Sequence, residues 1–397
     1  MRTSTVAKAA AFVAFGLWGA NPVFADSTGV TDSTIKIGFV GSMTGPAAIW
    51  GSGNMAGATL AFEELNAAGG VNGRKIEFIT VDDETSAPKG IAGFNRLVQS
   101  DKVFAVFGPS SSAVGVPMKA TMASSGVPVL IPSFSSPLMT EPPAPNIFRV
   151  GAINDRMQGR GIANYLVNTD KRTKIAILRQ SDEYGATGAG AVGDRLKELK
   201  MAPVANEVFN AADTDFTSQV LRVRSANPDA IVVYGYPAPS AIITRQLREV
   251  GIKAEIIGSS ATSNQNYPEL VGKIGAGTKF VTTLEHQPES DFPAIKKFRE
   301  AFQKRFPDLA RQGRPALGDT LGYAGALTMI EAIRQAGKDL TREGYVKALE
   351  SMDGYETGIS MPTHLSATNR EGNTKMYIAV IKDDLTREVL PGAIETK

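Results

Sequence analysis

Two short stretches concentrate hydroxyl groups at points where a chain exposes its backbone donors. The first is "VFAVFGPSSSAVGVP" (residues 103–117). Its apolar run stops at Gly108-Pro109 and is followed by Ser110, Ser111 and Ser112, then by residues suited to open a helix. The second, "LIPSFSSPLM", repeats the pattern with Ser133, Ser135 and Ser136 around Phe134. If each apolar run is a strand, each serine turn lies at its carboxyl end, where open parallel sheets bind ligands. A helix start carries free N–H groups and a partial positive charge, and serine hydroxyls add donors. Together they make a cradle for a carboxylate that needs no basic side chain. Serine is also a favoured N-cap, so either turn alone is equally well explained as capping. Two such turns after adjacent strands point to a shared site.

The residues of bond-breaking chemistry are sparse. His286 and His364 are the only histidines, both in polar, proline-flanked segments, and neither stands at metal-ligand spacing from the other. No H-E-x-x-H and no G-x-S-x-G occurs. "GATGAG" (185–190) is not a dinucleotide fingerprint and reads as a flexible helix start. The pairs Asp82-Asp83 and Asp383-Asp384 are neighbours in sequence, so their side chains point apart and they read as solvated turns. With no cysteine, thiolate chemistry, disulfides and Cys-ligated metal are excluded. The expectation is a binding protein without cofactor; a nucleotide-dependent α/β enzyme is the alternative from another class.

The elements that must hold these turns follow from hydrophobic rhythm. "IKIGFV" (35–40), "KIEFITV" (75–81), "VFAVF" (103–107) and "VPVLI" (127–131) alternate with amphipathic stretches such as "NMAGATLAFEELNAAGG", which Gly69-Gly70 would stop. The rhythm restarts with "KIAIL" (174–178), "VANEVF" (204–209), "AIVVY" (230–234), "EIIG" (255–258) and "KFVTT" (279–283). Continuous apolar runs suit parallel strands covered on both faces. The fold class is therefore α/β, with two doubly wound parallel-sheet lobes. Three Pro- and Gly-rich breaks, "TEPPAPNIFRVG" (140–151), "LEHQPESDFP" (284–293) and "DGYETGISMP" (353–362), are the expected crossings, which makes a three-strand hinge. Residues 26–149 plus 285–355 form the first lobe, and 150–284 plus 356–397 the second. The latter ends in a hairpin-like stretch with the strand "KMYIAVIK" (375–382).

Length and composition agree with this division. A chain of 397 residues exceeds one ordinary core, and 43% hydrophobic with 21% charged residues describes a folded protein. The start reads as an export signal: Arg2 and Lys8, then the short apolar stretch "AAAFVAFGLW", then small Val23 and Ala25 ahead of a cut after about Ala25. Removing Arg2 and Lys8 from the 42 basic residues leaves them balanced against 40 acidic ones, so nucleic acid and anionic membranes are not expected partners.

Several blocks carry a family resemblance: "IKIGFVGSMTGPAAIWGSGNMAGATLAFEELNAAGGVNGRKIEFITVDDETSAPKGI", "VFGPSSSAVGVP", "PVLIPSFSSP", "DEYGATGAGAV", and "IVVYGYPAPSAIITRQLREVGI" followed by "IIGSS". Over nearly the whole mature chain the sequence resembles the periplasmic solute-binding proteins of ABC importers, in the group that binds leucine, isoleucine and valine. The resemblance implies the type I periplasmic binding fold, a ligand cleft between hinged lobes, a periplasmic monomer and a membrane permease as partner. A diffusible sensor of the same fold is the nearer alternative. Carried over by position, Ser112 would bond a ligand carboxylate with backbone help near Ser110 and Ser111. Ser133 and Ser135 would add backbone and hydroxyl contacts. Trp50 would lie over the ligand side chain beside Phe134, a residue equally suited to the core, and Tyr184 and Tyr236 would close from the second lobe.

One position departs from the pattern. Amino-acid binders place an acidic residue in the turn after "IIG" to pair with the ligand's ammonium group, and this chain has Ser260 there. A buried ammonium without a counter-charge is costly. Asp182 and Glu183 are the nearest acids in sequence. Either one of them reaches in, or the ligand is a hydrophobic carboxylate without an ammonium, such as an aromatic or keto acid.

Overall fold

The computed structural model describes residues 26–396; the expected export signal over residues 1–25 lies outside the described residues. In chain order the first unit runs β1 (Thr34–Gly41), α1 (Ala48–Ala67), β2 (Lys75–Asp82), α2 (Ala87–Gln99), β3 (Ala105–Phe107), α3 (Ser112–Ser125), β4 (Val129–Ile131) and β5 (Ile147–Arg149). Its sheet is parallel throughout in the order β2-β1-β3-β4-β5. The short β3 and β4 are wholly buried, which explains their unbroken apolar sequence.

The second unit follows the same plan. It contains α4 (Asp155–Asn164), β6 (Ile175–Gln180), α5 (Glu183–Glu198), β7 (Ala205–Phe209), α6 (Thr217–Ser225), β8 (Ala230–Tyr234), α7 (Pro237–Glu249), β9 (Glu255–Gly258), α8 (Asn266–Val271) and β10 (Lys279–Thr282). Strands β6 to β10 are parallel in the order β7-β6-β8-β9-β10. Both sheets thus reverse their winding beside their first strand, at β1/β3 and at β6/β8. Ligand crevices form at such switch points. Phe216 at the N-cap of α6 is buried together with Val220 and Val223, the face the helical spacing predicts.

The chain then returns to the first lobe with α9 (Pro293–Arg305), α10 (Pro307–Ala310), α11 (Leu317–Ala336) and α12 (Arg342–Glu350). Helices α1 and α11 lie backbone to backbone. A Cβ on Gly57 would stand 2.1 Å from the Asp319 carbonyl, and one on Gly322 would stand 2.4 Å from that of Asn54. Only glycine permits this approach, and the approach fixes the start of α1, where Trp50 sits.

The third crossing differs from expectation. The segment 353–362 is not a crossing: it opens a hairpin of β11 (Asp353–Tyr355) and β12 (Thr363–His364), and Ile359 and Leu365 pack into first-lobe clusters. Residues 356–371 therefore belong with the first lobe. The chain crosses just beyond, alongside the first crossing. Gly372 N–H donates to the Arg149 carbonyl at 2.8 Å, and Asn373 Nδ2 to that of Gly151 at 2.8 Å. The buried Arg149–Glu371 pair, at 2.7 Å, ties the two passages together. Strands β13 (Lys375–Ile381) and β14 (Arg387–Val389) then form an antiparallel hairpin on β10.

Candidate functional site

The two switch points face each other across a cavity that leaves about 360 Å³ free of atoms. The first lobe lines it with Trp50, with Ser110, Ser111 and Ser112, and with Ser133, Phe134 and Ser135. From the second lobe come Tyr184, Tyr236, Ser260 and Ala261. All ten site residues expected from sequence are brought together here. Trp50, Leu317 and Leu321 share an apolar cluster with Tyr184, Tyr234 and Ile257, so the lobes meet around the cavity.

The first serine turn is a set of open donors. Ser111 occupies the N-cap of α3 in extended conformation, yet its hydroxyl makes no cap bond. Its Oγ is buried and has no hydrogen-bond partner. Ser112 opens the helix, whose first N–H groups face the same end. Ser110 Oγ accepts the Ser42 N–H at 2.9 Å, which leaves its own proton uncommitted. Ser42 in turn donates to Asp83 at 2.6 Å. Asp83 is fully buried, not solvated as the sequence suggested, and burial raises its carboxyl above the usual range.

The second turn has the opposite polarity. Ser133 Oγ donates to Asn54 Oδ1, whose orientation is set because Asn54 Nδ2 donates to the Gly318 carbonyl at 2.9 Å. Ser135 Oγ donates to Asp155 Oδ1 at 2.8 Å. The hydroxyl protons expected to serve a carboxylate are therefore spent on Asn54 and Asp155, and these two serines present lone pairs to the cavity.

Three tyrosines build the opposite wall. Tyr184 and Tyr236 stack with ring centroids 5.6 Å apart, and Tyr234 lies behind them, 5.0 Å from Tyr184. Tyr184 donates to Ser259 Oγ at 2.8 Å and accepts the Ala261 N–H at 3.3 Å. Burial, followed by the nearby Asp155 carboxyl, pushes its phenol up, and burial does the same for Tyr236 with Asp182 as the next cause, so both stay neutral. Gly188 lets α5 close on this wall, since a Cβ there would meet the Tyr234 ring at 1.9 Å. Ser260 is gripped by Gln158: its N–H donates to Gln158 Oε1 at 2.6 Å, and Gln158 Nε2 donates to its Oγ at 3.0 Å. Phe134 belongs both to the first-lobe core and to the cavity, with the Arg149 guanidinium 5.7 Å from its ring centre.

Neither acid proposed from sequence reaches in. Asp182 caps α5 by accepting the Gly185 N–H at 3.0 Å and also takes Gln180 Nε2 at 2.7 Å. Glu183 is engaged by Thr187 at 2.7 Å and Ser136 at 3.4 Å. A third acid, Asp155 in the first turn of α4, bonds the lining residue Ser135 directly, and sequence reasoning missed it together with Gln158. The available signal was "NDRMQG" directly after a crossing: an Asx cap at Asn154, which accepts the Met157 N–H, places Asp155 and Gln158 on one helical face. His286 stacks on Phe292 and His364 pairs with Asp353, both in other parts of the molecule. Among the described residues no His/Asp/Glu group is arranged to hold a metal ion, and no helix is long and apolar enough to cross a membrane.

Comparison with known proteins gives a consistent family. The profile of the family described as "Periplasmic binding protein" matches residues 34–386. The Leu/Ile/Val-binding protein homolog 3 of Brucella melitensis is 28% identical over 331 residues, covering 83% of this chain and 87% of that protein. The Leucine-, isoleucine-, valine-, threonine-, and alanine-binding protein of Pseudomonas aeruginosa is 30% identical, covering 69% and 72%. Among solved structures, the branched-chain amino acid transporter substrate binding protein LivJ of Streptococcus pneumoniae, in complex with isoleucine, superposes with a TM-score of 0.77. Its identity is 25%, and the match covers 90% of this chain and 99% of that one.

Proposed function

The chain belongs to the periplasmic binding protein family, of the branched-chain amino acid ABC transport type, and from that premise we propose that it captures a small hydrophobic carboxylate in the interlobe cavity and delivers it to a membrane permease. It does so as a periplasmic monomer. The observation that carries this reading is the first serine turn, where a buried, unpartnered Ser111 hydroxyl stands at a helix start that it does not cap. A buried polar atom without a partner is unfavourable until something bonds it. Free N–H groups and the positive end of α3 make an anion the matching group. Trp50, Phe134 and the Tyr184–Tyr236 stack supply apolar walls for the rest of the ligand.

Because the walls belong to different lobes, a ligand that touches both favours closure in proportion to its extra contacts in the closed state. Moving the lobes from mostly open to mostly closed takes roughly 5.5 kcal/mol of differential affinity. Two or three charge-assisted bonds at about 1.5–3 kcal/mol each, with ring burial, are of that order.

Titration calorimetry across amino, hydroxy, keto and aromatic acids tests the proposal, with each positive acid repeated as its carboxamide. A carboxylate should bind and its carboxamide should not. Equal binding of the two, or no binding by any acid, would overturn it. Import that depends on a cognate permease tests the delivery step and separates a carrier from a diffusible sensor.

A further inference from the structure

Beside the cavity of the serine turns lies a second opening between the lobes, with about 750 Å³ free of atoms, which the carboxylate reading does not use. The same two stretches of chain reach both. Helix α1 gives Trp50 to the first cavity and Ala48, Ile49 and Ser52 to the second. The chain after β9 gives Ser260 and Ala261 to the first and Asn264, Gln265 and Asn266 to the second. The approach to α11 completes the first-lobe wall with Arg314, Ala316 and Asp319.

The second-lobe wall holds idle hydrogen-bonding groups. Asn264 is 1% exposed. Its Oδ1 accepts the Asn266 N–H at 3.3 Å, which orients the amide, and its Nδ2 has no partner. Gln265 Oε1 and Asn266 Oδ1 are also buried and unpartnered. Three successive residues thus keep one donor and two acceptors unused. Native folds leave few buried polar atoms unpaired, because each is unfavourable until something bonds it. On the facing wall the charges are already committed. Arg314 pairs with Asp319 and donates to the Ser52 carbonyl at 3.2 Å, and Asp319 accepts the Ala316 N–H at 2.7 Å.

We propose that this opening is a second binding site, for a neutral molecule bearing a peptide or carboxamide group, and that its occupant and the cargo of the first cavity strengthen each other's binding. An amide carries its donor and its acceptor on two atoms of one plane. Its carbonyl can take the Asn264 Nδ2 proton while its N–H serves Asn266 Oδ1 or Gln265 Oε1. A carboxylate has no proton for those two acceptors, and Arg314 is already paired. An ammonium group has nothing with which to accept from Asn264. Ala48, Ile49 and Ala316 offer apolar surface to the carbon skeleton. Because the walls come from both lobes, an occupant favours the lobe arrangement that holds it. Two ligands that favour the same arrangement tighten one another by the same factor. The second site stands apart from the carboxylate reading, and only the coupling rests on it.

The probe is N-acetylalaninamide, titrated into the whole mature protein by calorimetry, with glycerol and with methyl O-acetyllactate, its ester counterpart without N–H, as controls. The amide should bind saturably and the controls should not. Asn264→Ala should weaken the amide about fivefold or more, with the affinity of the best-bound carboxylate, measured without amide, held to within about threefold. Asn266→Ala should act in the same direction and covers the case that the buried Asn264→Ala fails to fold. Saturating carboxylate should tighten the amide at least about threefold, and saturating amide should tighten the carboxylate equally. No saturable amide binding, equal binding of the ester, or amide binding that both variants leave unchanged would overturn the site. Glycerol binding with the same dependence on Asn264 would overturn the amide assignment. Amide binding with no change in carboxylate affinity would overturn the coupling. Amide binding by a protein that takes no carboxylate would sink the proposed function and leave the second site standing.

Discussion

Ser111→Ala separates the two explanations that a serine at a helix start always allows. If Ser111 capped α3, its loss would cost about 1 kcal/mol of stability and leave binding untouched. The structure shows the reverse situation. Ser111 is 4% exposed, and its buried hydroxyl makes no cap bond and has no partner. An unsatisfied buried polar group costs about 1–3 kcal/mol, so its removal should stabilise the ligand-free protein. At about 2–4 °C per kcal/mol for a unit of this size, the melting temperature should rise by a few degrees. With ligand bound the sign inverts. A charge-assisted bond of about 1.5–3 kcal/mol is lost, which weakens the dissociation constant by about 10- to 100-fold. Differential scanning calorimetry without ligand and titration calorimetry with the best-bound carboxylate measure both arms. A drop in ligand-free stability with unchanged affinity would show that the turn is a cap and refute the carboxylate cradle.

Two further outcomes follow from the same cavity. Ser260→Glu brings an acid to the wall beside Tyr184, so amino acids should gain at least several-fold over their deaminated analogues, read as a ratio of calorimetric affinities; an unmoved ratio would remove Ser260 from the site. Asp155→Asn should change the pH dependence of ligand-free stability. A carboxyl raised by burial from 3.8 to about 7 favours the fold fully at low pH and loses that contribution, on the order of 4 kcal/mol, as pH rises through about 7. Wild type minus variant melting temperature should therefore fall between about pH 4 and pH 8, and a difference constant with pH would contradict a buried, titrating Asp155.

The parts of this molecule that could be read from sequence are those decided locally. β-Branched runs such as "AIVVY" are strands because parallel strands buried on both faces tolerate nothing else, and every residue of β8 is buried. The first serine turn was legible for a similar reason, because an apolar run, a Gly-Pro stop and a helix opening are contiguous; the second turn leads only into the single 3-10 turn Pro137–Met139, so the helix start expected there did not form. The third crossing was not. "DGYETGISMP" has the turn residues of a linker, but they serve a hairpin, and what keeps it on the first lobe is the burial of Ile359 and Leu365 against helices and strands far away in the chain. The pair Asp82-Asp83 shows the same limit. Its members do point apart, yet one turns toward Thr44 near the surface and the other into the core, where it supports Ser42 and so Ser110.

The direction in which a hydroxyl points its proton is the least local property of all. Six serines that look alike in sequence divide in the fold because of residues contributed from elsewhere. Asn54 holds the Ser133 proton and is itself oriented by a carbonyl 264 residues away, while Asp155 holds that of Ser135 from across the hinge. The Ser110, Ser111 and Ser112 turn receives no comparable acceptor. A second turn of donors would have suited a dianion or a bare carboxylate. One turn of donors beside one of acceptors is what the fold makes of two stretches that read alike, and Asn54 and Asp155 are the residues that make the difference.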